Sequence, residues 1–230
     1  MDLPSHIHWH SYQDEHGLAQ GLGIMLESAI EESLASHSPA MIALSGGSTP
    51  RTFLKHLCHQ HLPWQDIVWT PVDERFVPVD HQDSNEKMFR ELLIEHHPET
   101  HFLSMIQHQE LEQSVQLYQK RFHTFGKTYD VCILGMGNDG HTASLFPDAP
   151  ELSQAIKKDA DCFMAMHPQS AVQARISAGL ETIMQSKVRI LHIQGEEKKR
   201  TFTKALAVTN PAEMPIRWVC EQPLHVFWCP

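Results

Sequence analysis

The sequence predicts an α/β protein with a three-layer αβα arrangement, in which a mostly parallel, doubly wound, Rossmann-like sheet carries helices on both faces. Short apolar runs typical of buried strands alternate along the chain with segments whose apolar residues have helical spacing. Strands separated by whole helices pair in parallel, and parallel sheets are covered on both faces. No repeat or Gly/Ser-rich linker is found, so we expect one domain over residues 1–230.

Seven segments are predicted as strands because they are short and mainly apolar. Residues 40–44 show the pattern most clearly, as the continuous apolar run expected of a strand that is covered on both faces. In chain order, the predicted strands are 7–12, 40–44, 67–72, 131–134, 163–166, 188–193 and 224–228.

Five segments are predicted as helices. Residues 14–37 place apolar side chains at spacings of three and four, which puts them on one helical face. Pro50 suits the first turn of the second helix, and Ser84 or Asn85 is the expected N-cap of the third. In chain order, the predicted helices are 14–37, the segment after Pro50, the segment after Ser84 or Asn85, 111–125 and 196–207.

The composition excludes several classes of protein. With 41% hydrophobic and 20% charged residues, the chain can bury a core and is neither disordered nor fibrous. Its net charge of -10 gives little attraction to nucleic acids or anionic lipids, so we expect neither nucleic acid nor a membrane as partner. Five widely spaced cysteines without a CxxC pair argue against a disulfide framework and favour a reducing, cytoplasmic location.

The loop after the second strand, SGGSTP at 45–50, contains two glycines. Glycines let backbone N–H groups approach a ligand closely, and the start of a helix carries the positive end of its dipole. A phosphate or a sugar oxygen is therefore a natural ligand, although a plain strand-to-helix turn has the same pattern.

The loop after the third strand begins with DERFVP at 73–78. Charged residues at the carboxyl end of a strand favour a functional site in this architecture, with a solvated acidic loop as the alternative. Arg75 could pair with Asp73 or Glu74, or bind an oxyanion.

The loop GMGNDGHTASLFP at 135–147 is the most informative. Its glycines surround a carboxylate, Asp139, and an imidazole, His141. Histidine titrates near neutral pH and can act as a general base, while a neighbouring carboxylate fixes its orientation and tautomer. The alternatives are a dinucleotide-binding type of turn that happens to contain a histidine, and a histidine that only packs.

In their order and spacing, these three motifs resemble the 6-phosphogluconolactonase family. The resemblance implies a fold of the glucosamine-6-phosphate deaminase type. It also implies a small-molecule substrate, 6-phospho-D-glucono-1,5-lactone, which is hydrolysed to 6-phosphogluconate in the oxidative pentose phosphate pathway without metal or organic cofactor.

The resemblance further implies roles for individual residues. His141 would deprotonate the attacking water, and Asp139 would orient the imidazole. The other implied site residues are Asp73 and Arg75 along the second loop, Gly46, Gly47, Ser48 and Thr49 beside the sugar phosphate, and Arg175 and Lys198 as phosphate ligands.

Two other functions remain open at this point. The related glucosamine-6-phosphate deaminase/isomerase family has a similar Asp-Gly-His loop, but there the loop continues toward AFNEP, whereas residues 143–147 read ASLFP here. A non-catalytic sugar-phosphate sensor would keep the binding residues and lack turnover that depends on His141.

Histidine clusters raise the separate possibility of a metal site. One cluster comprises His6, His8 and His10, which alternate along a predicted strand; the other, at 56–61, contains three histidines and a cysteine. A metal site needs a closed set of three or four ligands with supporting hydrogen bonds. No such set is evident, so solvated side chains are the favoured interpretation.

Overall fold

The structure, a computed structural model, describes residues 3–126, 128–159 and 161–230. Strands and helices alternate along most of the chain. In order, the strands are β1 (Ile7–Ser11), β2 (Ala40–Leu44), β3 (Ile67–Pro71), β4 (Asp73–Arg75), β5 (His101–Phe102), β6 (Val131–Leu134), β7 (Phe163–Met166), β8 (Arg175–Ala178), β9 (Val188–Gln194) and β10 (Leu224–Cys229). The helices are α1 (Glu15–Leu34), α2 (Arg51–Leu57), α3 (Asn85–Leu92), α4 (Leu111–Phe125), α5 (Leu152–Ala155), α6 (Leu180–Met184), α7 (Glu196–Ala207) and α8 (Ile216–Val219).

A parallel sheet of seven strands lies at the centre, in the order β1-β10-β9-β6-β2-β3-β5. After β1, which lies at one edge beside β10, the chain builds the sheet outward in opposite directions from the neighbouring strands β2 and β6. Loops that follow two such strands diverge and leave a crevice at their carboxyl ends, which is where α/β sheets bind ligands.

Helices cover both faces of this sheet. One apolar core, between the sheet and α1, α2 and α3, contains Leu26 and Phe53. The core on the opposite face contains Tyr118 of α4 and Phe202 of α7. The predicted α/β fold class is confirmed. Of the two N-caps predicted for α3, Ser84 is the residue that accepts the backbone N–H of Lys87, at 3.1 Å.

A small antiparallel sheet, in the order β4-β8-β7, lies beside the parallel one and was not predicted. Residues 73–75 were predicted as loop and are a strand, while residues 163–166 were predicted as strand but do not join the parallel sheet. Both differences come from β8, which was not predicted as a strand and pairs with both β4 and β7. The charged segment 73–75 becomes a strand only by pairing with β8, about a hundred residues away in sequence.

At the amino ends of the strands, Asp130 joins several elements. Its carboxylate accepts the backbone N–H of Met41 at 2.7 Å and a hydrogen bond from the Ser33 hydroxyl, and it pairs with Lys187 Nζ at 2.8 Å. Burial alone would raise the pKa of Asp130, but Lys187, Ser33, Met41 and His37 together hold it below its usual value. The ionised carboxylate therefore fastens α1, β2 and the start of β9 together.

Among the described residues, no helix combines the length and apolar character that a membrane crossing requires.

Candidate active site

A cavity of about 270 Å³ opens at the carboxyl ends of β2, β6 and β9. Nine of the ten predicted site residues line it. They are Gly46, Gly47, Ser48, Thr49, Asp73, Arg75, His141, Arg175 and Lys198. The tenth, Asp139, contacts the cavity residue His141. Five separate segments of the chain thus meet at one edge of the sheet.

His141 is held in a defined orientation. Its ring stacks on Phe146, with centroids 3.8 Å apart and planes inclined by 19°. Its Nδ1 lies 2.6 Å from Asp139 Oδ1, which also accepts the His141 backbone N–H at 3.1 Å. An ionised carboxylate only accepts hydrogen bonds, so Nδ1 carries the proton and Nε2 is left with its lone pair. The side chain is 27% exposed, and the ring is therefore open to the cavity rather than sealed in the core.

The carboxylate of Asp139 stays ionised through this contact. Its partial burial would raise its pKa, but the hydrogen bonds and positive charge that His141 can supply outweigh burial, and the pKa lies below its usual value. Asp139 therefore stabilises the protonated imidazole that would form when His141 takes up a proton.

Asp73 and Arg175 form another part of the cavity wall. The Asp73 carboxylate accepts the Ser144 hydroxyl at 2.5 Å and lies 3.8 Å from the Arg175 guanidinium. Arg175 also lies over the Phe146 ring, 4.9 Å from its centroid. Burial lowers the pKa of Arg175, with Asp73 opposing the change. Phe146 therefore contacts both the imidazole of His141 and a cation of the cavity.

Glu74 anchors the segment that carries Asp73 and Arg75. It is fully buried and accepts the backbone N–H groups of Arg75, Asn85 and Glu86 at 2.7, 2.8 and 2.6 Å. Burial raises the pKa of Glu74 to about 7, although these three N–H groups oppose the rise. Because Glu74 ties β4 to the start of α3, it holds the backbone of Arg75 in place.

The glycine loop and α7 complete the site. Ser45 Oγ accepts the backbone N–H of Gly135, at 3.0 Å, which joins the loops after β2 and β6. Lys198 lies in the first turns of α7. Its pKa is lowered by burial, with Glu197 and Asp139 opposing the change. Although the whole chain is acidic, the cavity thus gathers three basic side chains, Lys198 and two arginines.

Several residues of the site were not predicted from the sequence. Asn85 lines the cavity and donates from Nδ2 to the Asp73 carbonyl, at 2.9 Å. Ser144 and Phe146 lie in the third motif, yet nothing in the sequence indicates their contacts with Asp73 and Arg175. His192 also lines the cavity; as a single histidine in a mainly apolar strand, it gives no signal of a ligand site.

Two of the histidines that raised the possibility of a metal site, His8 and His10, pack against His225, which was in neither cluster. His10 Nε2 lies 3.1 Å from His225 Nδ1, and the rings of His8 and His10 both stack on His225. Within the described ranges, no group of three or more His, Cys, Asp or Glu residues is placed to hold a metal ion.

Comparison with known families gives the class of protein. Residues 13–228 match the sequence model of the family described as glucosamine-6-phosphate isomerases/6-phosphogluconolactonase. The chain belongs to this family, as the three motifs predicted.

Among individual relatives, the chain is similar to proteins named 6-phosphogluconolactonase. The chain is 32% identical to a 6-phosphogluconolactonase of Rhizobium meliloti over 227 residues, which cover 96% of this chain and 98% of the relative. The crystal structure of a 6-phosphogluconolactonase from Shewanella baltica is 31% identical, covers all of both chains and has a TM-score of 0.93. A monomeric glucosamine-6-phosphate deaminase shares the fold at a TM-score of 0.80 and 19% identity, with 96% of this chain and 97% of that one covered.

Proposed function

We propose that this protein hydrolyses 6-phospho-D-glucono-1,5-lactone to 6-phosphogluconate, the lactonase step of the oxidative pentose phosphate pathway. The observation that carries the proposal is the His141–Asp139 pair at a cavity that also contains three basic side chains. Full-length relatives named 6-phosphogluconolactonase support it. The match over residues 13–228 supports a single functional domain, and the cysteine pattern supports a cytoplasmic location.

The first step is attack by water on the lactone carbonyl. Nε2 of His141 accepts one proton of the water while the oxygen of the water bonds to the carbonyl carbon. Asp139 stabilises the imidazolium that results. A placed general base accelerates such a step about 10²- to 10⁴-fold. No nucleophilic side chain is required, because the lactone carbonyl is already electrophilic.

The second step opens the ring. The tetrahedral intermediate expels the ring oxygen, and the imidazolium returns its proton to that oxygen, which becomes a new hydroxyl. The carboxylic acid formed at the same time still holds the second proton of the water and releases it to solvent, which leaves a carboxylate. His141 is neutral again at the end, and no redox partner or cofactor enters this balance. Asp73 and Arg75 line the reacting part of the cavity in this proposal.

The basic side chains give the site its selectivity for an anion. Arg175 and Lys198 bind the phosphate of the substrate, with Gly46, Gly47, Ser48 and Thr49 beside it. Charge-assisted hydrogen bonds contribute roughly 1.5 to 3 kcal/mol each, so two of them account for a strong preference for phosphorylated lactones.

The test compares the decay of freshly generated lactone, with and without the protein, for the wild type and for His141→Ala. We expect the variant to lose roughly 10²- to 10⁴-fold in kcat while it still binds 6-phosphogluconate. His167→Ala is a matched control, because His167 pairs with Glu151 at 2.8 Å outside the cavity.

Decay at the spontaneous rate in the presence of wild-type protein would reject the proposal. Ammonia release from glucosamine 6-phosphate would indicate the deaminase instead, and tight binding of 6-phosphogluconate without turnover would indicate a sensor. Unchanged turnover in His141→Ala would remove the proposed base and leave the lactonase activity in place.

A further inference from the structure

His192 lies in the cavity wall and has no part in the mechanism above. It is on β9, three residues before Gly195, where α7 and Lys198 follow. Its ring packs edge-on against Phe53 of α2, with centroids 6.1 Å apart and planes at 85°. Since α2 follows the glycine loop, His192 lies on the side of the cavity that we assign to the phosphate.

The side chain of His192 is only 7% exposed, and its buried Nδ1 has no hydrogen-bond partner among the described residues. A buried polar atom without a partner destabilises the folded protein, so such atoms are rare and need an explanation. The buried Nε atoms of Arg75 and Arg175, which line the same cavity, are also unpaired. Three residues that line the cavity thus each have a buried nitrogen without a partner.

His192 can form a hydrogen bond in its uncharged form. Burial lowers the pKa of His192 to about 4, so the ring is uncharged at neutral pH. A neutral imidazole offers one N–H donor and one acceptor nitrogen. It can hydrogen-bond to an oxygen without adding another positive charge to the three basic side chains already present.

We propose that His192 is a substrate-binding residue whose imidazole hydrogen-bonds to an oxygen of the bound sugar phosphate. The inference rests on the proposed function, because it takes the cavity as a sugar-phosphate site. The oxygen belongs either to the phosphoryl group or to a sugar hydroxyl; both offer the same partner to an imidazole.

Three substitutions separate the two ring nitrogens. His192→Asn keeps a polar atom near the position of Nδ1, His192→Gln keeps one near Nε2, and His192→Leu keeps neither. For His192→Leu, we expect KM for the lactone and Kd for 6-phosphogluconate to rise about tenfold, as the loss of one hydrogen bond predicts. Of His192→Asn and His192→Gln, the variant that keeps the bonding nitrogen should stay within about threefold of the wild type in both constants, and kcat should change little in all three.

The control is His225→Asn. The pKa of His225 is also lowered to about 4, mainly by burial, but this residue lies on β10 outside the cavity. It should leave KM and Kd unchanged. Inorganic phosphate as competing ligand identifies the oxygen: weaker inhibition in His192→Leu than in the wild type indicates the phosphoryl group, and equal inhibition indicates a sugar hydroxyl.

A spectroscopic measurement does not depend on any variant being folded. In ¹⁵N spectra of the wild-type protein, the imidazole nitrogens of His192 should shift when 6-phosphogluconate is added, whereas those of His225 should not. Unshifted His192 signals, or a normal KM in His192→Leu, would overturn the inference while lactone hydrolysis by the wild type continued to support the proposed function. A wild type that neither hydrolyses lactone nor binds 6-phosphogluconate would overturn both.

Discussion

At the scale of single residues, the proposed chemistry depends on one carboxylate that selects one tautomer. Asp139 accepts the Nδ1 proton of His141, whose side chain lines the cavity, and so leaves the lone pair of the neutral ring on Nε2. An asparagine has nearly the same shape, but its amide can also donate, and it cannot stabilise an imidazolium by charge.

We therefore expect Asp139→Asn to lower kcat about a hundredfold or more while KM changes little, as for a removed carboxylate partner of a catalytic histidine. Initial rates of lactone hydrolysis measure both constants. Asn138→Ala is the matched control, since Asn138 is on the same loop and binds Glu197 at 2.8 Å. Equal losses in the two variants would mean that the loop, and not the carboxylate, matters.

Most of the predicted residues that line the cavity lie in dense motifs, whereas Arg175 and Lys198 were implied by the family resemblance alone. Asp139 and His141 are two positions apart in a glycine-rich loop, and each residue type has a recognised chemistry. His192 could not be found in this way, because a histidine within an apolar strand has the same local pattern whether it faces a core or a cavity. Ser144 and Asp73 meet across 71 residues of chain, which no local pattern reveals.

At the scale of elements, the loop after β2 needs glycine for two different reasons. A Cβ at Gly46 would lie 1.8 Å from Asn85 Oδ1 and 2.2 Å from its Cγ, so no side chain fits there. Gly47 has a φ of 99° and open space around it, so its constraint is the backbone conformation alone.

We expect Gly46→Ala to displace Asn85, weaken its hydrogen bond to the Asp73 carbonyl, and reduce kcat/KM for the lactone by at least about tenfold. Gly195→Ala serves as control: Gly195 has a φ of 91° and nothing within 4 Å of an added Cβ. It should cost only backbone strain of about 1 to 2 kcal/mol in the free energy of unfolding. If Gly46→Ala kept full activity, Asn85 would not support the site.

Most of the parallel sheet could be predicted at this scale because periodicity and apolar runs are local properties. The antiparallel sheet could not, since β4 is short and charged throughout, β8 is short and begins with a charged residue, and both become strands only through their pairing. Their prediction would need knowledge of which distant segments meet, and the sequence of either segment alone does not contain it.

At the scale of the whole molecule, the two ends of the parallel sheet have different tasks. The carboxyl ends carry the cavity, and the amino ends carry the network around Asp130, whose side chain is 4% exposed. Stability and activity should therefore respond separately to changes at the two ends.

We expect Asp130→Asn to lower the free energy of unfolding by about 1 to 3 kcal/mol, because it replaces an acceptor by a donor in a buried hydrogen-bond network. The loss of the counter-ion of Lys187 contributes less, since that side chain is half exposed. Urea unfolding measures this loss. The kcat and KM of the folded variant should stay within about twofold of the wild type. A large fall in kcat without a loss of stability would contradict this separation.

Acid should destabilise the protein through its buried histidines. The folded-state pKa values of His192 and His225 are lowered from 6.5 to about 4, so between these values the unfolded chain binds more protons than the folded one. Stability is then lost as pH falls from about 6.5 to about 4, by roughly 1 kcal/mol per pH unit for each histidine. Glu74 acts in the opposite direction between 4.5 and about 7, because its pKa is raised, and it offsets about one histidine.

Urea unfolding at about pH 7 and about pH 5 should therefore give a lower free energy of unfolding at the acid value. In His225→Phe, which keeps a ring but cannot be protonated, the difference between the two pH values should be smaller. An equal or larger difference in that variant would contradict the assignment to His225.

The small antiparallel sheet places two like charges opposite each other. Arg75 on β4 and Arg175 on β8 are register partners, and both line the cavity. Like charges in directly opposed positions destabilise a strand pair. An anion bound in the cavity would relieve this repulsion and thereby stabilise the sheet that binds it. Occupied protein should consequently resist heat better than empty protein.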